Sequence, residues 1–219
     1  MRLHPGETEA GGWRVEELST VVEELRRAAP GVSGRPLIVA IDGRGGAGKS
    51  VLARRLRAIV PSSEVVHTDD IAWNQAYFDW AGLMAEHVLR PLHRGGEVAF
   101  RPPAWVAHDR PGAVQVPAGL EVVWVEGTGI VREALLRWID ASIWVQGDLD
   151  EQERRLVARD GDSAAQREHV AAWLTEELPH MLREQPWHKA TVTIAGTTGL
   201  RHDPDTEVVV AAGHRPERA

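Results

Sequence analysis

A glycine-rich segment that ends in lysine and serine is the part of the chain best suited to chemistry. Residues 43–50 read Gly-Arg-Gly-Gly-Ala-Gly-Lys-Ser and fit the pattern G-x-x-x-x-G-K-[ST]. Glycines let successive backbone N–H groups point to one centre and form a nest for an anion. Lys49 can reach the β- and γ-phosphates of a nucleoside triphosphate, and the Ser50 hydroxyl can bind Mg²⁺. We therefore expect a triphosphate-binding loop, with a purely structural glycine turn as the alternative.

The chain on both sides of this segment favours the triphosphate-binding loop. Residues 37–41 form an apolar, β-branched run that predicts a buried strand before the loop. Residues 51–60 have helical spacing, so the N-terminus of a helix would add its partial positive charge and its free N–H groups. The candidate phosphate-binding residues are Gly43, Gly45, Gly46, Ala47, Gly48, Lys49, Ser50 and Val51.

Acidic residues directly follow three apolar runs that we interpret as strands. They are Asp42, the adjacent pair Asp69 and Asp70, and Glu126. Because ligands of an open parallel sheet bind at the carboxyl ends of its strands, these carboxylates are candidates for Mg²⁺ binding or for accepting a proton. The repulsion within the adjacent pair favours a nearby cation. Asp42 is explained equally well as a helix cap or a turn former.

The elements that would position these residues alternate between strands and helices. Strands are predicted at 37–41, 64–68, 121–125, 141–145, 190–195 and 207–212, and helices at 51–60, 80–93, 130–138, 149–159 and 164–183. This order is typical of an α/β fold with a mostly parallel sheet covered by helices. Residues 101–119 contain four prolines and predict a long ordered loop.

The domain organisation predicted from these elements has three parts. Residues 13–29 have the pattern of an amphipathic helix that ends at Pro30, so residues 1–35 are interpreted as an N-terminal helical appendage. Residues 36–212 form the main domain, and residues 213–219 form a tail. No lengthy apolar segment or signal peptide is visible, so we expect a cytoplasmic protein without a membrane partner.

The amino-acid composition of the chain excludes some kinds of binding site and some kinds of partner. The 219 residues include no cysteine, which excludes disulfides and thiolate metal sites. The formal charge of −7 argues against a nucleic-acid partner, since a broad basic face is missing. The only asparagine is Asn74 and no lysine follows it, so the base-reading motif of switch GTPases is absent. A homodimer is left open.

The order of these motifs resembles the uridine kinase / phosphoribulokinase-like group of P-loop kinases over residues 36–197. The residues that carry the resemblance are Ile-Asp-Gly-Arg-Gly-Gly-Ala-Gly-Lys-Ser at 41–50, His-Thr-Asp-Asp at 67–70, Val-Glu-Gly at 125–127 and Arg-Arg-Leu-Val-Ala-Arg-Asp at 154–160. The resemblance implies a three-layer P-loop NTPase fold with a small helical lid at 149–165. It also implies ATP and Mg²⁺ as cofactors and a small-molecule acceptor as the partner.

The same resemblance assigns roles to the acidic residues. Asp69 matches the base that takes the proton of the acceptor hydroxyl, and Asp70 beside it could exchange roles with it. Glu126 matches the acidic residue near Mg²⁺, so the candidate metal ligands are Ser50, Glu126 and Asp69. The candidate catalytic residues are Lys49, Asp69, Asp70 and Arg159.

Arginines of the lid would contact the phosphates, as the resemblance implies for Arg154, Arg155 and Arg159. Guanidinium groups suit charge that is spread over phosphoryl oxygens. Arg159 is the preferred catalytic candidate and Arg155 a candidate nucleotide-binding residue. A solvated helix face is the alternative for each of them.

The acceptor side departs from the uridine kinase pattern. The loop reads Arg-Pro-Pro-Ala-Trp at 101–105 and lacks the Tyr-Asp pair of uridine kinases, which predicts an altered acceptor pocket. Aromatic residues that could line it are Trp73, Tyr77, Phe78, Trp80 and Trp105, with core packing as the alternative. We expect an ATP-dependent kinase that transfers the γ-phosphoryl group to a hydroxyl. The alternatives are a regulatory P-loop NTPase and a dephospho-coenzyme A, sugar or antibiotic kinase.

Overall fold

Strands and helices alternate from residue 37 onward in the computed structural model, which describes residues 1–211. The strands are β1 (Arg14–Glu17), β2 (Leu37–Gly43), β3 (Ser63–His67), β4 (Val98–Phe100), β5 (Val114–Val116), β6 (Val122–Glu126), β7 (Ala141–Gln146), β8 (Val192–Ala195) and β9 (Glu207–Ala211). The helices are α1 (Leu18–Ala28), α2 (Lys49–Ile59), α3 (Thr68–Ala72), α4 (Ala81–Met84), α5 (Arg90–His93), α6 (Pro103–Ala107), α7 (Glu133–Leu136), α8 (Leu149–Asp160), α9 (Ala164–Glu184) and α10 (Pro186–Lys189).

The described residues form a seven-stranded sheet in the order β1-β9-β8-β7-β2-β6-β3. Neighbouring strands pair in parallel across β8, β7, β2, β6 and β3. Strand β9 is antiparallel to β8, and β1 is antiparallel to β9. Strand β2 is central and buried along its whole length, as its apolar run predicts. The parallel register brings the carboxyl ends of β2, β3 and β6 to one edge of the sheet, where the candidate residues follow them.

Side chains alternate between two cores along β2, which makes the fold three-layered. Val39 and Ile41 pack in one core with Leu52 and Leu56 of α2. Ile38 and its neighbour Ala40 pack in the other core with residues of the helical segment from α4 to α5. The predicted α/β class with a mostly parallel sheet between helices is confirmed.

The N-terminal segment requires a correction, because it is part of the main fold rather than a helical appendage. Strand β1 pairs with β9, with Arg14 opposite Val210. Helix α1 buries Leu18 and Leu25 in the same core as α2. The predicted helix is present from residue 18, but the four residues of β1 are too few for a period of two to be distinguished from helical spacing. The predicted tail at 213–219 and residue 212 lie outside the described residues.

Two further segments differ from their predictions. The predicted loop at 101–119 contains α6 and β5, and β5 pairs with β4 in a two-stranded sheet. Pro103 begins α6, at a position where the backbone N–H would have no partner within the helix. The helix predicted at 130–138 is shorter, at Glu133–Leu136. The helix predicted at 80–93 is present, with a π-helical segment, Ala85–Leu89, between α4 and α5.

None of the helices within residues 1–211 is both long and apolar enough to cross a bilayer.

Candidate functional site

The glycine-rich loop joins β2 to α2 at the carboxyl edge of the sheet. Gly46 (φ 75°) and Gly48 (φ 102°) adopt left-handed backbone conformations that side chains disfavour, so the loop depends on glycine at these points. A side chain at Gly46 would also meet the Gln152 carbonyl oxygen at 2.5 Å, because α8 lies directly against the loop. Helix α2 begins at Lys49, so its N-terminal N–H groups belong to the loop, as predicted.

The Lys49 ammonium is buried and held within the loop. Its Nζ donates to the carbonyl oxygens of Gly43 (2.9 Å) and Arg44 (3.0 Å) and to Thr128 Oγ1 (3.1 Å). Thr128 Oγ1 is also 3.1 Å from the Gly43 oxygen, so this hydroxyl helps to fix the lysine. Thr128 was missed in the sequence, where its place two residues after Glu126 was the only available indication.

Ser50, Glu126 and His67 form a hydrogen-bonded chain across three elements. The Ser50 hydroxyl donates to Glu126 Oε1 (2.9 Å), and His67 Nδ1 lies 2.5 Å from the same oxygen. Burial raises the pKa of Glu126, but the bond with His67 and the charge of Lys49 outweigh it, so the pKa is lowered. The bond with Glu126 in turn raises the pKa of His67. The Glu126 carboxylate is therefore held ionised beside the loop.

The oxygen atoms of Ser50 and Glu126 fit a hard cation such as Mg²⁺. Within residues 1–211, no group of three or more His, Cys, Asp or Glu side chains could hold a metal ion on its own. Magnesium commonly keeps water ligands and shares phosphate oxygens with few protein groups. The donor set therefore fits Mg²⁺ that binds together with phosphates.

The adjacent residues Asp69 and Asp70 face different surroundings. Asp69 is exposed and lines the cavity that contains the glycine-rich loop. Asp70 lies outside that lining, and its Oδ1 accepts a hydrogen bond from Arg110 Nη2 at 2.7 Å. The Asp70 carbonyl oxygen also accepts from Trp105 Nε1 (2.9 Å), so this residue anchors the segment of α6. Only Asp69 of the two is placed to meet a ligand of the cavity.

Asp42 is a structural residue, which was one of the two readings of its sequence position. Its carboxylate is completely buried and accepts from the backbone N–H groups of Gly43 (2.7 Å), Gly129 (2.8 Å) and Val131 (2.8 Å). Burial raises its pKa, although these three bonds and the charge of Lys49 oppose the change. Asp42 thereby ties the start of the loop to the segment after β6.

The three arginines on α8, in the segment predicted to be a lid, have different environments. Arg155 Nη1 donates to the carbonyl oxygens of Gly196 (2.9 Å) and Gly46 (3.4 Å), so it bridges the loop and the segment after β8. Arg159 lines the cavity and pairs with Asp160, and that bond, aided by the charge of Asp69, raises its pKa. Arg154 pairs with Glu151, its side chain is 73% exposed, and it is outside the lining of the cavity.

Two cavities meet at the glycine-rich loop. The larger, about 920 Å³, contains Lys49, Glu126 and Asp69. The second, about 620 Å³, lies between the start of α2, Arg155 and residues 194–198. Both are lined by Gly48, Val51 and Arg155. The loop therefore separates a space beside the β8 segment from a space beside Asp69.

Aromatic side chains also line the larger cavity, and together they form its aromatic wall. They are Trp73, Tyr77, Phe78, Trp80 and Trp173. Trp173 of α9 packs edge-on against Tyr77 (ring centroids 5.5 Å apart) and lies 5.1 Å from Phe78. The first four were predicted to line such a pocket, whereas Trp173 was missed. Trp105 lies outside the lining, at its bond to Asp70.

Comparisons with known proteins agree on the fold. No protein-family model and no curated protein matches the chain. Among solved structures, it is similar to a candidate fructose transport system kinase from Silicibacter sp. TM1040, with 21% identity, a TM-score of 0.56 and coverage of 77% of this chain and 93% of that one. It is also similar to a D-glycerate 3-kinase from Cryptococcus neoformans (14% identity, TM-score 0.51, 81% and 93% covered).

A third similar structure is a possible uridine kinase from Bacillus stearothermophilus, with 15% identity and a TM-score of 0.50 over 80% of this chain and 98% of that one. The three neighbours are named as kinases or candidate kinases, and at these identities the likeness concerns the fold alone. The chain thus has the three-layer P-loop kinase fold, with a glycine-rich loop, a carboxylate at the end of β6 and a helical segment over the loop. The resemblance to uridine kinase-like proteins is confirmed for the fold.

Proposed function

We propose that the chain is an ATP-dependent kinase that transfers the γ-phosphoryl group to a hydroxyl of a small molecule, with an acceptor pocket different from that of uridine kinases. One observation carries this proposal. The loop lysine Lys49, the Ser50–Glu126 pair and the exposed carboxylate of Asp69 line one cavity with the aromatic wall. A phosphate-binding loop alone serves many functions. An exposed carboxylate in the same cavity is suited to accept the proton of an acceptor hydroxyl.

The two cavities suggest how ATP would lie. Its phosphates would bind the loop, and its nucleoside would occupy the space between Arg155 and residues 194–198. The terminal phosphate would then point into the larger cavity, toward Asp69. Mg²⁺ would bind Ser50 and Glu126 together with phosphate oxygens, and would supply positive charge to the triphosphate.

The transfer would need a base and cationic groups from this chain. Asp69 would accept the proton of the acceptor hydroxyl while that oxygen forms a bond to the γ-phosphorus, and the bond to the β-γ bridging oxygen would break to release ADP. Lys49 and Arg159 would stabilise the charge on the transferring group. Trp73, Tyr77 and Phe78 would hold the body of the acceptor and exclude water.

Release of ADP from ATP and Mg²⁺ tests this function when it is measured with and without candidate acceptors. A panel of nucleosides, vitamins, sugars and aminoglycosides covers the main classes of hydroxylated acceptor. We expect background turnover without an acceptor and a large increase with one class. Fast ATP hydrolysis that needs no acceptor, or that only a protein stimulates, would instead support the regulatory NTPase. The cytoplasmic location and a homodimer stay predictions.

A further inference from the structure

A buried arginine within the glycine-rich loop lies between two carboxylates. Arg44 is 1% exposed, and its Nε lies 3.3 Å from Glu7 Oε2. Its Nη1 lies 3.6 Å from Glu177 Oε2 of α9, which is also buried. Nη1 and Nη2 are buried without a hydrogen-bond partner in the part of the chain that the structure describes. Because unmet donors of a buried guanidinium are costly, these two groups suit an anionic ligand of the cavity.

Glu177 lies where the phosphate-binding groups of the loop converge. Its Oε1 accepts a hydrogen bond from the Gly45 backbone N–H at 3.4 Å. Burial raises the pKa of Glu177, against the charges of Arg44 and Lys49 and a hydrogen bond with Trp173. A loop N–H, an arginine and a lysine are the groups that a phosphate oxygen would use. The carboxylate and a terminal phosphate therefore require the same donors.

Helix α9 connects this carboxylate to the aromatic wall. Gln166, Val170, Trp173 and Glu177 all line the larger cavity, at the spacing of one helix face. Pro179 lies inside α9 and cannot donate the usual backbone hydrogen bond, which weakens the helix next to Glu177. Movement of Glu177 would therefore move Trp173, which contacts Tyr77 and Phe78.

We propose that Arg44 is a phosphate-binding residue and that the terminal phosphate of a bound nucleotide displaces Glu177 from Arg44 and Gly45, which repositions α9 and the Trp173 wall of the acceptor pocket. Arg44 keeps a partner after this displacement, since Glu7 stays beside it. Glu7 is itself held by Trp144 Nε1 (3.0 Å) and Gln146 Nε2 (3.1 Å). Glu177 is thus a positioning residue that couples nucleotide binding to the shape of the acceptor pocket. The proposal rests on the nucleotide site of the proposed function and not on phosphoryl transfer.

Binding of inorganic tripolyphosphate with Mg²⁺, measured by titration calorimetry, tests the competition without any acceptor. We expect Glu177→Gln to bind it at least about tenfold more tightly than the parent, because a carboxylate close to the phosphates is neutralised in a partly buried site. Glu176→Gln is the matched control, since it removes the same charge from the exposed neighbouring position. Equal or weaker binding by Glu177→Gln, or an equal gain in Glu176→Gln, would overturn the proposal.

Tryptophan fluorescence tests the movement of α9. We expect tripolyphosphate to change the emission of the parent and to leave that of Trp173→Phe almost unchanged. Glu177→Gln should show part of this change before the addition. A fluorescence response that survives in Trp173→Phe at full size would show that Trp173 does not respond to the phosphates, and it would overturn the proposed movement of α9. If the parent binds neither tripolyphosphate nor ATP, the nucleotide site itself is wrong, and this outcome is distinct from the failure of the competition.

Discussion

The Ser50 hydroxyl donates to Oε1 of Glu126 at 2.9 Å, although the two residues are 76 positions apart in the chain. The parallel pairing of β2 with β6 brings them together, with Ile41 opposite Glu126. Ser50 in the first turn of α2 and Glu126 at the end of β6 thereby place two oxygen atoms side by side near Lys49. This pair is the place where a metal ion would meet the triphosphate.

Glu126→Gln should raise the Mg²⁺ concentration needed for half-maximal ATP turnover by about tenfold or more, because the amide is a weaker and uncharged ligand. A Mg²⁺ titration at fixed ATP measures this. Glu121→Gln is the control, since Glu121 precedes the same strand and pairs with Arg26 at the surface. An unchanged Mg²⁺ requirement in Glu126→Gln would place the metal elsewhere.

Lys49→Ala should abolish detectable binding of MgATP, because the loop loses its point charge on the phosphates. The chain contains one other lysine, Lys189, which lies 3.3 Å from Glu184 and away from the loop. Lys189→Ala should therefore bind MgATP like the parent. Calorimetric titration of both variants gives the comparison, and retained affinity in Lys49→Ala would contradict the assignment of the loop.

Asp69→Asn should lower kcat by roughly 100-fold or more while the KM for ATP changes little, because the amide cannot accept the proton of the acceptor hydroxyl. Asp70→Asn should retain much more of kcat and should affect mainly the KM for the acceptor, through the bond with Arg110. Steady-state kinetics with the acceptor found in the panel separates the two. The reverse ranking of the two variants would transfer the base to Asp70.

Gly127→Ala should destabilise the protein by about 2 kcal/mol or more, as a strained and overpacked substitution. Gly127 has φ 150°, and a Cβ there would lie 2.7 Å from the Cβ of Thr68, next to Asp69. Gly11→Ala is the control, since no atom lies within 4 Å of its added Cβ. Thermal unfolding measures both, and an unchanged midpoint in Gly127→Ala would show that the contact between Gly127 and Thr68 yields easily.

Stability should decrease as the pH falls from about 6.5 to about 4, partly through two buried histidines. Burial and the charge of Arg132 lower the pKa of His180 to about 4, and burial and Arg44 do the same for His4. Each histidine has a pKa of about 4 in the folded protein and an ordinary value of 6.5 in the unfolded chain. Between these values the unfolded chain binds more protons than the folded one, so protonation favours unfolding, by up to about 3 kcal/mol per histidine.

Replacement of one of these histidines gives the check. His180→Gln should flatten the dependence of the unfolding free energy on pH in this window, whereas the same change at the exposed His108 should not. Urea unfolding at a series of pH values measures it. Parallel curves for the parent and His180→Gln would mean that other groups cause the acid sensitivity.

Much of the fold and of the loop could be predicted because the decisive features are local. The apolar run of β2, the glycine pattern and the carboxylates after the strands each occupy a few consecutive residues. Their placement at one edge follows from the parallel order alone. The four residues of β1 were missed, since they pair with β9 from the far end of the chain.

Contacts between distant surfaces could not be predicted in the same way. Asp69 and Asp70 are adjacent and chemically identical, and long-range contacts distinguish them, such as the bond from Arg110 to Asp70 across 40 positions. Glu177 and Glu176 look alike in a helix with many charges, and only the packing of α9 on the loop separates a buried carboxylate from an exposed one. Arg44 occupies a variable position of the loop pattern, so its burial between two carboxylates left no trace in the motif.

The fate of the γ-phosphoryl group tests the proposed function most directly. The protein is incubated with Mg²⁺ and ATP labelled in the γ-phosphate, together with the protein-free ultrafiltrate of a cell extract, and the labelled products are separated. We expect the label to appear in an organic phosphate ester, with the parent but not with Asp69→Asn. Label found only in inorganic phosphate, at the same rate with or without the extract, would contradict transfer to a small-molecule hydroxyl.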